Sequence, residues 1–258
     1  MDIREQAREY FESVAKPYLE EAGINEYQKS KYDIKYKHPY RVAELAEEIG
    51  VSLNLSKDDL DMLYVIALLH DVGRFHQIKK YGTMLDSKSL DHGDLSCDEV
   101  KGLNFISKFF SVEDCNVIYS AVKNHNNYAI DDNIKDEREL MFCKLIRDAD
   151  KLDIFGIVVK TELASYIEKI REEATQRVIA PEVLQFIENK KPIVRECRKT
   201  DMDMLLSKIS LLFDVNYPKT FEIFNQSGYF EELTEFLYTL SNFQEIAHNY
   251  TDFMKQNQ

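Results

Sequence analysis

Apolar residues recur along much of the chain at spacings of three and four, the period of an amphipathic helix. Ile3, Ala7, Tyr10 and Val14 set the first such stripe, which gives way to the polar, tyrosine-rich stretch NEYQKSKYDIKYK. A second helix is predicted after Pro39, a residue suited to a first helical turn, with Val42, Leu45, Ala46 and Ile49 on one face and Gly50 at its end. A third is predicted from Ser56, acting as N-cap with Asp59 three residues on. It contains an apolar run that closes in LLHDVGRF, residues 68–75. There an imidazole and a carboxylate, His70 and Asp71, end an otherwise oily segment. Such groups are costly to bury unless hydrogen bonds, an opposite charge or a cation hold them.

Residues 77–96 show no clean period and are expected to form a long loop, a length uncommon unless it is functional. Helix is expected again over Cys97 to Phe109, and Ser111 with Asp114 reads as the capping box of another, whose stripe is Val117, Ile118, Ala121 and Val122. The acidic turn AIDDNIKDE leads to a further clear helix from Arg138 to about Asp153. From Ile154 onward more helices are predicted, broken near Pro181, Pro192 and Pro218 and ending in YFEELTEFLYTLSNF. Only 8 Gly and 5 Pro interrupt 258 residues that are 44% hydrophobic, which favours an all-α fold. No repeat, low-complexity tract or linker sets the second half apart. The expected organisation is one domain over residues 1–258, with a helical core at about 35–155 and C-terminal helices at about 156–258 packed on it.

Charge narrows the partners. Lys and Arg total 33 against 46 Asp and Glu, a formal net charge of -13. That balance argues against a nucleic-acid polymer or an anionic membrane and leaves room for a small anionic ligand at a local basic site. Four cysteines without a CxxC pair, and an N-terminus MDIREQAREYF without the apolar core of a signal peptide, point to a reducing cytoplasm. The longest wholly apolar run, Tyr64 to Leu69, is too short to cross a bilayer.

Helical phase singles out the polar residues that face inward. His38 precedes Val42 by four and Leu45 by seven; His125 follows Ala121 by four and Ile118 by seven; Asp150 follows Ile146 by four and Cys143 by seven. With His70 and Asp71 they make an inward cluster of imidazoles and carboxylates, to which His92 in LDHGD is a further contributor. Taken singly, each histidine has an ordinary reading as a hydrogen-bonded core residue. As a set they suit a divalent cation, which offsets buried carboxylate charge and takes neutral imidazole nitrogens as ligands. Mixed nitrogen and oxygen donors favour iron, manganese, cobalt, nickel or zinc over calcium or magnesium.

The order His38, then His70-Asp71, then Asp150 within RDADKLD resembles the HD-domain superfamily of metal-dependent phosphohydrolases, and HDVGRF is similar to the HDIGRF form of its central motif. The resemblance covers about residues 35–155. It implies one or two divalent transition metals, the first held by His38, His70, Asp71 and Asp150, with Asp71 bridging to a second held by His92 and His125. Asp150 is preferred over Asp148 because it stands in the Ala149-Asp150 pair and because its phase is inward. Asp153, on the same face, is expected to support the site, while Lys151 departs in phase toward substrate or solvent. The leading expectation is hydrolysis of a phosphate ester or anhydride in a small phosphorylated metabolite, first among them a nucleotide, by a metal-activated water. Asp71 is then the central catalytic residue, and Arg74 holds a phosphate oxygen or, on the plainer reading, pairs with a surface carboxylate. Lys79, Lys80 and Lys123 are a basic rim or solvated side chains. Two other readings stay open: an oxygen-dependent dinuclear-iron enzyme of the same superfamily, and a metal-stabilised signalling module without catalysis. The C-terminal helices are left to shape the pocket, to form a homodimer, or both.

Overall fold

The computed structural model describes residues 2–20, 26–240 and 242–257, and every regular element among them is helical. Its contacts divide into two compact units, residues 1–150 and 151–258. The first unit holds α1 (Ile3–Leu19), α2 (Glu26–Ser52), α3 (Lys57–Leu69), α4 (Gly73–Tyr81), α5 (His92–Lys101), the short α6 (Ile106–Phe109), α7 (Val112–Asn124) and most of α8 (Glu137–Ile157). Helix α3 is its centre. Leu63 and the run Val65 to Leu69 are wholly inaccessible beneath α1, α2 and α7. Burying each of its Val, Ile and Leu side chains contributes about 1.5–3 kcal/mol, which is why this oily segment sits inside.

Two boundaries differ from the sequence expectation. Helix α2 starts at Glu26 and runs straight through Pro39, so most of the tyrosine-rich stretch is helical; Asn25, with which it opens, lies outside the described residues. The reason is packing. Tyr32, Tyr36 and Tyr40 recur every four residues and pack against α1 and α4, with ring centroids 5.9 Å for Phe11–Tyr36, 5.5 Å for Phe11–Tyr40, which meet edge to face, and 6.4 Å for Tyr32–Phe75. Aromatic burial of this kind outweighs the backbone hydrogen bond that a mid-helix proline forgoes. The long loop expected over residues 77–96 is also shorter. Helix α4 reaches Tyr81 and is closed by Gly82 at φ 66, whose amide bonds Ile78 O, and α5 begins at His92 under an Asp91 cap. Only residues 82–91 are irregular, and they include a 3-10 turn at Asp86–Lys88. Helix therefore starts before Cys97 and breaks at Gly102, short of Phe109. The caps at Ser56 and Ser111 form as expected.

The glycine of HDVGRF has a steric role. A Cβ on Gly73 would stand 2.6 Å from Ser96 N and 2.8 Å from Leu95 C, so only glycine lets α4 approach α5 this closely. The Gly73 amide uses the approach to donate to Ser96 Oγ at 3.0 Å.

The second unit holds the end of α8, a π-helical turn at Val158–Glu162, then α9 (Leu163–Glu172), α10 (Pro181–Glu188), α11 (Asp201–Ile209), α12 (Pro218–Gln226), α13 (Tyr229–Tyr238) and α14 (Gln244–Gln256). Pro181 and Pro218 each open a helix, where a missing N–H costs nothing. Buried Asp203 accepts from the backbone amides of Ala180, Lys199 and Thr200 at 3.0–3.1 Å. Lys151, expected toward substrate or solvent, is instead buried and pairs with Asp214 at 2.9 Å. Within the closing aromatic stretch, Ser241 lies outside the described residues. No helix among the described residues is long and apolar enough to cross a membrane.

Candidate metal centre

Five elements deliver the inward-phased side chains. His38 comes from α2, His70 caps the C-terminus of α3, Asp71 follows in the turn before α4, His92 opens α5, His125 caps α7 and Asp150 lies on α8. The four histidines and Asp71 are all at most 5% exposed. Asp150 is set in place because α8 is pinned at both ends of α7. Arg138 bonds Asp59 and Asp114, both at 2.7 Å. One turn before Asp150, buried Arg147 donates to Asn124 O at 2.8 Å and Asn127 O at 2.6 Å, capping the negative end of α7 with a guanidinium.

The two oxygens of Asp71 face opposite halves of the cluster. Oδ2 lies 3.7 Å from His38 Nε2 and 3.9 Å from His70 Nε2, and Lys35 Nζ approaches it to 2.5 Å. Oδ1 lies 3.4 Å from His92 Nε2 and 3.7 Å from His125 Nε2, is buried, and accepts no hydrogen bond. In the first half His38 Nε2 is 3.0 Å from Asp150 Oδ1 and 3.2 Å from His70 Nε2; in the second, His92 and His125 bring their Nε2 atoms to 3.1 Å. Asp148 is buried but stands in none of the groups of ligand atoms that converge among the described residues.

Family comparison finds that residues 36–154 match the HD domain. This segment is an HD domain. No curated protein and no solved structure matches the chain. HD domains are for the most part metal-dependent phosphohydrolases and bind divalent metals.

The donor set of this HD domain fits such an ion on its own chemistry. His70 Nδ1 donates to Ala67 O at 2.6 Å, His125 Nδ1 to Val122 O at 2.6 Å and His92 Nδ1 to Asp86 Oδ2 at 2.9 Å. An acceptor on Nδ1 leaves a lone pair on Nε2, so the lone pairs of His92 and His125 converge on the unpartnered Asp71 Oδ1 while that of His70 faces Oδ2. Lone pairs packed this closely repel unless positive charge lies among them. Separations of about 3–4 Å are also the polyhedron edges of an ion with bonds of about 2.1 Å.

Arg74 lies at the His92 end of the HD domain's cluster. Its Nη1 is committed to Gln77 Oε1 at 2.8 Å, Met84 O at 2.6 Å and Asp86 Oδ1 at 2.8 Å, while Nη2 is 3.1 Å from His92 Nε2 and Nε is 3.5 Å from Asp71 Oδ1. The basic rim is weaker than its sequence suggests: Lys123 pairs with Asp94 at 3.1 Å, Lys79 stands over Tyr18 and Lys80 over Tyr81. Sequence reasoning missed Lys35 and Asp86. Lys35 precedes His38 by one turn and becomes visible only once α2 is known to extend back through Pro39.

Burial is the main force on the imidazoles of the HD domain, pushing His70 down to about 3 and His92 to about 4 from an ordinary 6.5. For Asp71 burial alone would act upward, but Lys35 and the surrounding imidazoles hold its carboxyl well below the usual range. Because the folded state keeps His70 and His92 neutral, their contribution to stability is fully present above about pH 6.5 and is lost as pH falls toward their folded values. Each lowers stability by up to about 1.4 kcal/mol per pH unit in that window. The Tm of metal-stripped protein should therefore fall steadily from pH 7 to pH 5 when followed by circular dichroism. A flat Tm across that range would show that these imidazoles titrate in the fold as they do in the unfolded chain.

Proposed function

We propose that the protein hydrolyses a phosphate ester or anhydride bond in a small phosphorylated metabolite, nucleotides being the first class to test, at a centre of one or two divalent transition metals. The observation that carries this reading is the division of Asp71, one oxygen toward His38 and His70 and the other toward His92 and His125. His38, His70, Asp71 and Asp150 would hold one ion, and Asp71, His92 and His125 a second. A divalent ion bound there offsets buried carboxylate charge, makes water more acidic and attracts phosphoryl oxygens.

The chain's own residues supply the rest. Asp71 stays ionised and ties the two halves together. The Nε edge of Arg74 faces Asp71 and keeps a fixed positive charge beside the cluster, where it favours an anionic substrate. The net charge of -13 supports a small anion admitted locally in preference to a polyanion. Four unpaired cysteines are in keeping with a reducing cytoplasm.

The first test is elemental analysis of gently purified wild type and His125→Ala, together with phosphate release from a panel of phosphorylated metabolites while oxygen is monitored. The reading expects two metals falling to one on substitution, and phosphate released by the wild type. Oxygen uptake without phosphate release would select oxygenase chemistry instead. Retained metal with no turnover would select a structural module, and absence of metal would remove the centre altogether.

A further inference from the structure

His70 and His125 share a device that His92 cannot use. Each of the first two follows at least three residues of its own helix and donates Nδ1–H to the carbonyl three positions back, Ala67 O or Val122 O. That acceptor is fixed by the helix itself. His92 is the first residue of α5, so no earlier turn of its helix exists to take the proton. Arg74 Nη2, which can only donate, lies 3.1 Å from His92 Nε2 and already favours a lone pair there, but the ring proton then needs an acceptor at Nδ1. The irregular segment 82–91 supplies one: Asp86 Oδ2, 2.9 Å from His92 Nδ1.

Asp86 is itself held from behind. Its Oδ1 accepts from Arg74 Nη1 at 2.8 Å and from Gln77 Nε2 at 2.9 Å. Gln77 is fully buried, and its Nε2 also lies against Ser89 Oγ at 2.8 Å and Leu90 O at 2.9 Å, fastening both ends of the short 3-10 turn to α4. Asp91 and Asp86 do converge with His92 as ligand atoms. Yet Asp91 Oδ1 accepts from Gly93 N and Asp94 N as the cap of α5, and its Oδ2 from Asn126 Nδ2 at 2.8 Å. With the Asp86 oxygens taken as well, this trio is bound by protons and is not a further cation site.

We propose that Asp86 is a positioning residue: it fixes His92 as the Nδ1–H tautomer, so that Nε2 presents a lone pair to the Asp71 Oδ1 side of the cluster. The metal arm of its test rests on the metal-centre reading above; the tautomer arm does not. Asp86→Asn is the informative change. Arg74 Nη1 and Gln77 Nε2 both donate toward the Oδ1 position, so the amide turns its oxygen to them and its NH2 toward His92. A donor facing Nδ1 moves the ring proton to Nε2, the same inversion that disables a catalytic triad when its aspartate becomes asparagine.

The experiment uses the full chain, labelled with 15N-histidine. In metal-stripped wild type the ring nitrogens should report protonated Nδ1 and bare Nε2 for His92, assigned by the signal lost in His92→Gln. In Asp86→Asn they should exchange, with helicity retained. Cobalt titration should then show the weaker site of Asp86→Asn loosened by about 10–100-fold and the tighter site unchanged. If wild-type His92 carries its proton on Nε2, the inference is overturned without any variant. Should Asp86→Asn fold, keep the wild-type tautomer and merely melt earlier, Asp86 only fastens the 82–91 segment and the inference also fails. If the tautomer inverts but wild type binds no cobalt, the metal-centre reading fails and Asp86 keeps its role. Should wild type bind two ions and Asp86→Asn bind both with unchanged affinity, the metal centre stands and the role assigned to Asp86 is lost.

Discussion

Asp71→Asn should lower phosphate release by about 10²–10³-fold or more, at least the loss seen when one preorganised group is removed from an active site. The expectation is this large because Asp71 offers one carboxylate oxygen to each half of the cluster. Lys35, His38 and His70 meet one oxygen, and Arg74, His92 and His125 meet the other. The substitution keeps the shape and removes the charge, so the positive groups around position 71 lose their common counter-ion. The effect should fall on kcat, and elemental analysis should show both metals depleted. The variant should remain helical by circular dichroism, since α3 and its apolar contacts are untouched. Activity within about tenfold of wild type would show that Asp71 belongs to the scaffold and not to the chemistry.

The largest effect on stability is expected from Arg147→Met. Arg147 is 2% exposed and fastens the end of α7 to α8 through Asn124 O and Asn127 O, with Tyr128 O also at 3.3 Å from Nη2. Methionine fills similar space but donates nothing. Carbonyls buried without a donor cost about 1–3 kcal/mol each, so the loss should come to about 3 kcal/mol or more. At about 2–4 °C per kcal/mol for a chain of this class, Tm should fall by about 6–12 °C. Arg147→Lys should recover only part of it, because one ammonium cannot span carbonyls that the planar fork reaches together. A Tm within about 2 °C of wild type for Arg147→Met would place the anchoring of α7 elsewhere.

The reach of sequence reasoning follows from which signals are local. His38, His125 and Asp150 were legible because each repeats the apolar stripe of its own helix, and burial confirms the phase of the two histidines. Ser56 and Ser111 were legible because a cap is a contact of three residues' range. The start of α2 was not, since proline's local preference was set against Tyr32, Tyr36 and Tyr40, whose partners Phe11 and Phe75 are remote in sequence. Misplacing that start hid Lys35. The surroundings of His92 were obscured in the same way, although Gly82 and Asp91 both carried readable punctuation. Asp86 could not have been singled out without coordinates, because a short irregular segment has no period from which to infer direction.

The order of the donors along the chain also bears on how the protein comes to be made. His38 and Asp150 meet at 3.0 Å although most of the first unit separates them in sequence. A nascent chain that has emerged only as far as α7 already carries every imidazole of the cluster but not the last carboxylate. Closing it waits on the synthesis of α8. Ion capture by the complete set is thus a late, non-local step that rewards correct topology over local helix formation, and cellular metal supply then bears on the yield of native protein as well as on its activity.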